Sequence, residues 1–276
     1  MTEAIISVDQ LTKTFRGKRS RDSVTAVDAV SIAVQPGTCL AVVGESGSGK
    51  TTLARIIVGL ETADTGTVKL GGKTVARRAN RRTLRARARE IQMVFQDPQS
   101  SLNRRLRVQV AVDEVLRAHT PLNAKQRRAR CRELFEQVGL EARHLDAIPD
   151  ELSGGQRQRV AIARALAAEP SIIVLDEAVA ALDVTVQAQI LKLLDELRRS
   201  KGLTYLFITH DLSVVQMIAD EVVVMRRGSI VERGTTAQVL GDPQHPYTQL
   251  LLECAPRPGW KPKRGVIRAL REEIAS

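Results

Sequence analysis

Hydrophobic and polar positions change their rhythm several times along this 276-residue chain. Early on, short alternating or β-branched runs recur: AIISVDQL, VSIAV, CLAVV and TVKLGG. Gly, Pro and Asp turns part them, and each reads as a strand. From about Ala111 to Val138 the text turns helical, and CRELFEQVGL ends at Gly139, a C-cap signal. IIVLDE and TYLFITH are short apolar runs of the kind buried on both faces of a parallel sheet. Between them, VQAQILKLLDELRRSKG has the spacing of an amphipathic helix that stops at Gly202. Strand, helix, strand in that order predicts an α/β core. EVVVMRRGSIVERG adds a final β pair before a tail of mixed character. With no internal repeat and no low-complexity linker, one main domain is the simplest expectation.

Composition narrows the class. Apolar residues make up 43% of the chain, enough for a buried core. No apolar run approaches the roughly 18 residues that cross a bilayer, and MTEAIISVDQ is not a signal peptide, so a cytoplasmic protein is expected. Cys39, Cys131 and Cys254 are scattered without paired metal spacing, which fits free thiols in a reducing compartment. The formal charge of +11 suits either an anionic partner or simply a solvated, arginine-rich surface. Much of the excess lies in RRANRRTLRARAR, Arg77 to Arg89, which has no interleaved aromatics for stacking on bases. That run reads as an exposed loop and helix face, and no nucleic-acid partner is expected.

The sharpest local signal is GESGSGKTT, Gly44 to Thr52, set between the strand CLAVV and the helix-like LARIIVGL. Gly44, Gly47 and Gly49 permit turns that aim successive N–H groups at phosphate oxygens, and the following helix adds its dipole. The loop residues Glu45, Ser46, Ser48 and Thr52 complete the cradle. In such a loop Lys50 reaches the β- and γ-phosphates, and the Thr51 hydroxyl ligates Mg²⁺. IIVLDE ends a buried strand in two carboxylates, at the strand end where ligands of parallel sheets gather. Asp176 is placed to hold Mg²⁺ directly or through water, and Glu177 to polarise an attacking water. Adjacent acids at that position also serve as helix caps. His210 after TYLFIT reads as a γ-phosphate sensor or as a structural imidazole. Gln96 in MVFQDPQSSLN reads as a ligand to Mg²⁺ or the attacking water, or as an ordinary loop glutamine. LSGGQ, Leu152 to Gln156, carries no acid, base or nucleophile, yet it leads into the helical QRQRVAIARALAAE.

Phosphate loop, Gln96, LSGGQ, IIVLDE, ALD and His210, in this order, resemble the nucleotide-binding subunit of ATP-binding cassette (ABC) transporters. The likeness covers about residues 5 to 235, and LSGGQ separates this family from other P-loop proteins. It implies a P-loop NTPase core with a mostly parallel sheet, an N-terminal antiparallel β subdomain and a helical subdomain of about residues 97–165 carrying LSGGQ. It also implies a head-to-tail dimer, each ATP lying between one subunit's phosphate loop and the other's LSGGQ. Carried over, Phe15 matches the aromatic that stacks on adenine, where tyrosine is more usual. Gln96 matches the glutamine linking nucleotide to the transmembrane partner. Ser153, Gly154, Gly155 and Gln156 match the signature facing the partner's γ-phosphate, and Asp183 the loop crossing the interface. Glu177 matches the general base and His210 the switch. ATP and Mg²⁺ are the implied cofactors.

VGESGSGKTTLAR, VFQDPQSSLN, THDLSVV and GDPQHPYTQLLL look like the peptide and nickel importer branch. That likeness implies a cassette domain over residues 1–240 and a shortened peptide-importer tail over 241–276. It implies a second, similar cassette subunit, two membrane permeases and, indirectly, a solute-binding protein, with this chain peripheral on the cytoplasmic face of the inner membrane. Ala178 and Ala180 stand where DEPVSALD is usual, and alanine at the first position also occurs among nickel-importer subunits. With Cys254 alone in the tail, no iron–sulfur cluster is expected. An ABC protein of DNA repair or translation is the alternative, but Lys50 and Ser153 lie only 103 residues apart, leaving no room for a long coiled-coil insertion. A small-molecule P-loop kinase would leave LSGGQ without a role.

Overall fold

In the computed structural model, which describes residues 3–16, 23–76, 80–96, 102–254 and 270, the first strand bends where its alternation breaks. Strand β1 (Ile6–Arg16) buries Ile6 and Val8, then Leu11 instead of residue 10. Gln10 takes a positive φ of 46°, and the pairing register shifts there. The extra residue is a β-bulge, which keeps the apolar side chains on one face. Ile6 lies opposite Val34 of β2 (Ser23–Val34) and Leu70 of β4 (Thr65–Leu70). With β5 (Lys73–Thr74) these form a four-stranded antiparallel sheet in the order β2-β1-β4-β5.

The chain divides into two compact units, residues 1–77 with 206–276, and residues 78–205. In the first unit, β3 (Cys39–Val43) is buried at all five positions and pairs in parallel with β9 (Glu221–Arg226), Ala41 opposite Val222. A run of Val, Leu and Ala with no polar break suits a strand covered on both faces. β9 turns back antiparallel into β10 (Ser229–Thr235). Helix α1 (Lys50–Val58) follows β3 and ends at Gly59, whose φ of 83° lets its N–H reach the Arg55 and Ile56 carbonyls.

In the second unit, α2 (Arg81–Glu90) starts at Asn80, whose side chain accepts from the Thr83 N–H, and it buries no residue. It is the solvated helix face anticipated for the arginine run, of which residues 77–79 lie outside the described residues. β6 (Ile91–Val94) pairs in parallel with β7 (Ile172–Asp176), again buried throughout. The helical text of about Ala111 to Val138 is two helices beginning earlier, α3 (Val108–His119) and α4 (Ala124–Gln137). Pro121 explains the break: it pushes Thr120 to φ −124°, ψ 157°, out of the helical region. Asn123 then opens α4 with a capping box to Gln126. Two further helices, α5 (Gly154–Leu166) and α6 (Val184–Lys201), complete the unit, α6 stopping at Gly202 in the left-handed region. The start of the expected helical segment, residues 97–101, lies outside the described residues.

The division between units falls within β8 (Thr204–Thr209). The chain then adds α7 (Leu212–Ile218), α8 (Thr236–Gly241) and α9 (Pro246–Cys254) to the first unit. Ala41, Val43, Leu212, Val215, Val222, Val224, Val239, Tyr247 and Leu252 pack into one apolar cluster there. The stretch 242–254 is therefore part of that unit's core. Among the described residues no helix is long and apolar enough to cross a membrane.

Candidate functional site

The phosphate loop belongs to the first unit. β3 ends at Val43, and the chain turns through Gly44–Gly49 into α1. Gly49 sits at φ 104°, and a Cβ there would collide with the Ala26 carbonyl oxygen of β2. Gly44, at φ 150°, presses in the same way on the Met225 carbonyl of β9. The Gly228 N–H donates to the Ser48 carbonyl at 3.0 Å. Backbone on two sides thus sets the loop's path, and only glycine fits at those two positions.

Lys50 is 4% exposed, and its ammonium donates to the Gly44 and Glu45 carbonyls, each at 2.7 Å. Ser48 Oγ lies 3.4 Å away. Thr51 is half-buried in the first turn of α1, where N–H groups have no intrahelical acceptor. Glu45, Ser46 and Gly47 form the exposed tip. Phe15 on β1 is 42% exposed, and the Lys13 ammonium stands 5.1 Å from its ring centroid. Lys13 also pairs with Glu61 at 3.1 Å. The Thr62 N–H and then Lys13 hold the Glu61 carboxyl below the usual range. His210 is exposed at the end of β8, just before Asp211, which caps α7 by accepting from the Ser213 N–H.

The carboxylates and the signature belong to the second unit. β7 delivers Asp176, 5% exposed, and then Glu177, which adopts φ 47°, a strained region for a side-chain-bearing residue. Gln96 Nε2 donates to Glu177 Oε2 at 2.7 Å. The amide expected on Mg²⁺ or the attacking water thus lies against the carboxylate expected to act as base.

LSGGQ is the start of α5, and Ser153 is its N-cap. Ser153 Oγ accepts from the Gln156 N–H at 3.3 Å, and Gln156 Oε1 accepts from the Ser153 N–H at 2.8 Å. Gln156 Nε2 lies 3.1 Å from His144 Nε2. Arg157 ties down the loop from behind, donating to the Leu152 and Pro149 carbonyls at 2.9 and 3.2 Å. The Gln156 side chain is thus engaged within its own subunit. The Gly154 and Gly155 N–H groups and the Ser153 hydroxyl proton remain as donors at this helix end. Gly155 lies so close to α6 that an added Cβ would meet Val186 Cγ1 at 2.5 Å. Asp183 caps α6 at the same place, accepting from the Val186 N–H at 3.0 Å.

These residues fit ATP and Mg²⁺. An enclosed ammonium at a helix N-terminus behind a glycine loop suits a polyphosphate. The Thr51 hydroxyl in the first unit, and separately the Asp176 carboxylate in the second, are each a hard oxygen donor of the kind Mg²⁺ takes. Three contacts escaped sequence reasoning: His144 on Gln156, the Arg157 clamp on the signature's carbonyls, and Tyr247, whose hydroxyl accepts from the Glu45 N–H at 3.0 Å. Only Tyr247 had a sequence signal, GDPQHPYTQLLL, which carried no role of its own.

Comparison with known proteins agrees with this geometry. The ABC transporter family profile matches residues 27–180, and the profile of the oligopeptide/dipeptide transporter C-terminal region matches residues 231–274. The oligopeptide transport ATP-binding protein OppF of Streptococcus mutans is 45% identical over 255 residues, 92% of this chain and 82% of that protein. The dipeptide transport ATP-binding protein DppF of Escherichia coli is 46% identical over 234 residues, 85% of this chain and 70% of that protein. An ATP-binding cassette solved as a dimer in a post-hydrolysis state with ADP and Pi superimposes with a TM-score of 0.75 at 29% identity, covering 84% of this chain and 98% of its own. A phosphate loop of this form, a capped LSGGQ helix and a family match across more than half the sequence lead to one conclusion: the chain belongs to the ABC transporter family, as an ATP-binding cassette with the C-terminal region of the oligopeptide/dipeptide transporters.

Proposed function

We propose that this cassette is the ATP-hydrolysing subunit of a peptide importer, working at the cytoplasmic face of the membrane beneath two permeases and paired with a second, similar cassette. The observation that carries the reading is the union, in one chain, of the cassette and the oligopeptide/dipeptide C-terminal region. The names of its relatives, oligopeptide and dipeptide transport proteins, favour peptide over nickel or metallophore as cargo. Residues 1–240 act as the nucleotide-binding domain, and 241–276 as the family-specific extension.

Lys50 releases the Gly44 and Glu45 carbonyls and turns its ammonium to phosphate oxygens. Phe15 offers an aromatic face to the adenine. The Thr51 hydroxyl and, in the second unit, the Asp176 carboxylate are the oxygen donors that would hold Mg²⁺, which would supply charge screening for phosphoryl transfer. Gln96 lets go of Glu177, whose carboxylate then accepts a proton from the attacking water, while His210 donates to the γ-phosphate. Ser153, Gly154 and Gly155 donate to the nucleotide bound by the other cassette, with Asp183 lining the same interface. The Gln96–Glu177 hydrogen bond supports placing these two residues at one site.

Replacing Glu177 with Gln is the direct test. It should leave ATP affinity within about twofold, cut turnover by about 100-fold or more, and let an ATP-bound cassette pair accumulate on size exclusion. Wild-type turnover would remove Glu177 from the role of base. Copurification of two permeases from detergent-solubilised membranes tests the importer assignment separately.

A further inference from the structure

The tail of the first unit reaches back to the phosphate loop. Glu232 on β10 accepts from the Gln244 N–H at 2.8 Å and the His245 N–H at 3.2 Å, which docks the GDPQHP segment. His245 Nδ1 then accepts from the Tyr247 N–H at 3.0 Å at the start of α9. The Tyr247 ring is 2% exposed within the apolar cluster around Val43 and Val224, with the Arg226 guanidinium 5.3 Å from its centroid. From there its hydroxyl accepts from the Glu45 N–H at 3.0 Å.

The partner of that hydroxyl is the informative detail. The Glu45 N–H and the Gly44 C=O belong to one peptide unit. Its carbonyl accepts from Lys50 at 2.7 Å, and its N–H donates to Tyr247. The unit follows Gly44, which at φ 150° has no side chain to resist rotation of the adjoining peptide. When Lys50 leaves that carbonyl for a phosphate, Tyr247 is what continues to orient the peptide.

We propose that Tyr247 is a positioning residue for ATP: it acts from the C-terminal region and holds the Gly44–Glu45 peptide of the phosphate loop in its binding orientation. The proposal rests on reading that loop as the ATP site. It gives residues 242–254, beyond the cassette profile, a share in nucleotide binding. Through Glu232, His245 and Tyr247, strain on this extension is transmitted to the loop that holds the phosphates.

The test is ATP affinity of the purified full chain by calorimetry, alongside thermal melts without nucleotide. Tyr247→Phe keeps the ring and removes only the hydroxyl. Affinity should fall about five- to tenfold, as for one lost hydrogen bond that leaves an N–H unsatisfied, and amide exchange at Glu45 should accelerate. Leu252→Ala, further along α9, loosens the same cluster without touching the hydroxyl; it should lower the melting temperature and leave affinity within about twofold. Equal losses of affinity in both variants would assign the effect to general packing and overturn the proposal. Wild-type affinity in Tyr247→Phe would also overturn it, provided Lys50→Ala abolishes binding. If Lys50→Ala itself binds normally, the phosphate-loop reading fails and the proposal falls with it.

Discussion

Cys131 shows how far a single residue's chemistry depends on where the fold leaves it. Burial, with a smaller contribution from Asp113, pushes its thiol up to about 11, above the ordinary cysteine range. The thiol therefore stays protonated at pH 8, where Cys39 is also buried and Cys254 exposed. Alkylation with iodoacetamide at that pH should modify Cys254 quickly and the other two only after denaturation. Mass spectrometry of timed samples checks this; fast labelling of Cys131 would contradict its burial. Because the folded value is raised, the thiol's stabilising effect is complete below pH 9 and erodes as pH rises towards 11. The same dependence on place governs Lys50 and Glu177, whose side chains meet two carbonyls and an amide respectively.

At the scale of elements, the N-terminus of α5 matters more than any one side chain in LSGGQ. Ser153 and Gln156 close a capping box, and His144 steadies the glutamine. Replacing Ser153 with Ala removes the cap and should lower stability by about 1 kcal/mol in urea titration. Ser153→Asp separates the helix from its ligand. Aspartate is an equally good cap, so stability should return to near wild type. If the proposed pairing holds, its carboxylate faces the γ-phosphate bound by the other cassette, and ATPase activity of the assembled transporter should remain low. Recovery of activity together with stability would mean that Ser153 acts only as a cap. Legibility in the sequence was uneven at this scale. The buried strands β3, β7 and β8 were plain, because unbroken apolar runs bounded by turns have few other interpretations. The break between α3 and α4 was not, although Pro121 marked it, because helical periodicity resumes on both sides.

For the molecule as a whole, the C-terminal region is structural as well as diagnostic. Tyr247 and Leu252 share an apolar cluster with β3 and β9, the strands that carry the phosphate loop and its backing carbonyl. A chain ending at Gly241 would expose Val43, Val224 and Val239 where those side chains now pack. It should melt at a markedly lower temperature than the full chain, since the two lost side chains are worth about 1.5–3 kcal/mol each. Differential scanning fluorimetry of both forms decides it; an unchanged melting point would show 242–254 to be a dispensable appendage.

Sequence alone determined the class of chemistry here. Gly44 to Thr52 and IIVLDE are contiguous stretches whose chemistry lies in local spacing: glycines that free N–H groups, a lysine at a fixed offset, and acids at a strand end. LSGGQ, by contrast, takes a role only through its likeness to the ABC family. Only the tertiary structure decided which groups restrain that chemistry. Gln96 on Glu177, His144 on Gln156 and Tyr247 on the Glu45 N–H join residues 81, 12 and 202 positions apart. No periodicity encodes such contacts. They follow from how packing against the sheet strands closes the chain on itself, and a hydrogen bond a few ångströms long leaves no trace in sequence spacing.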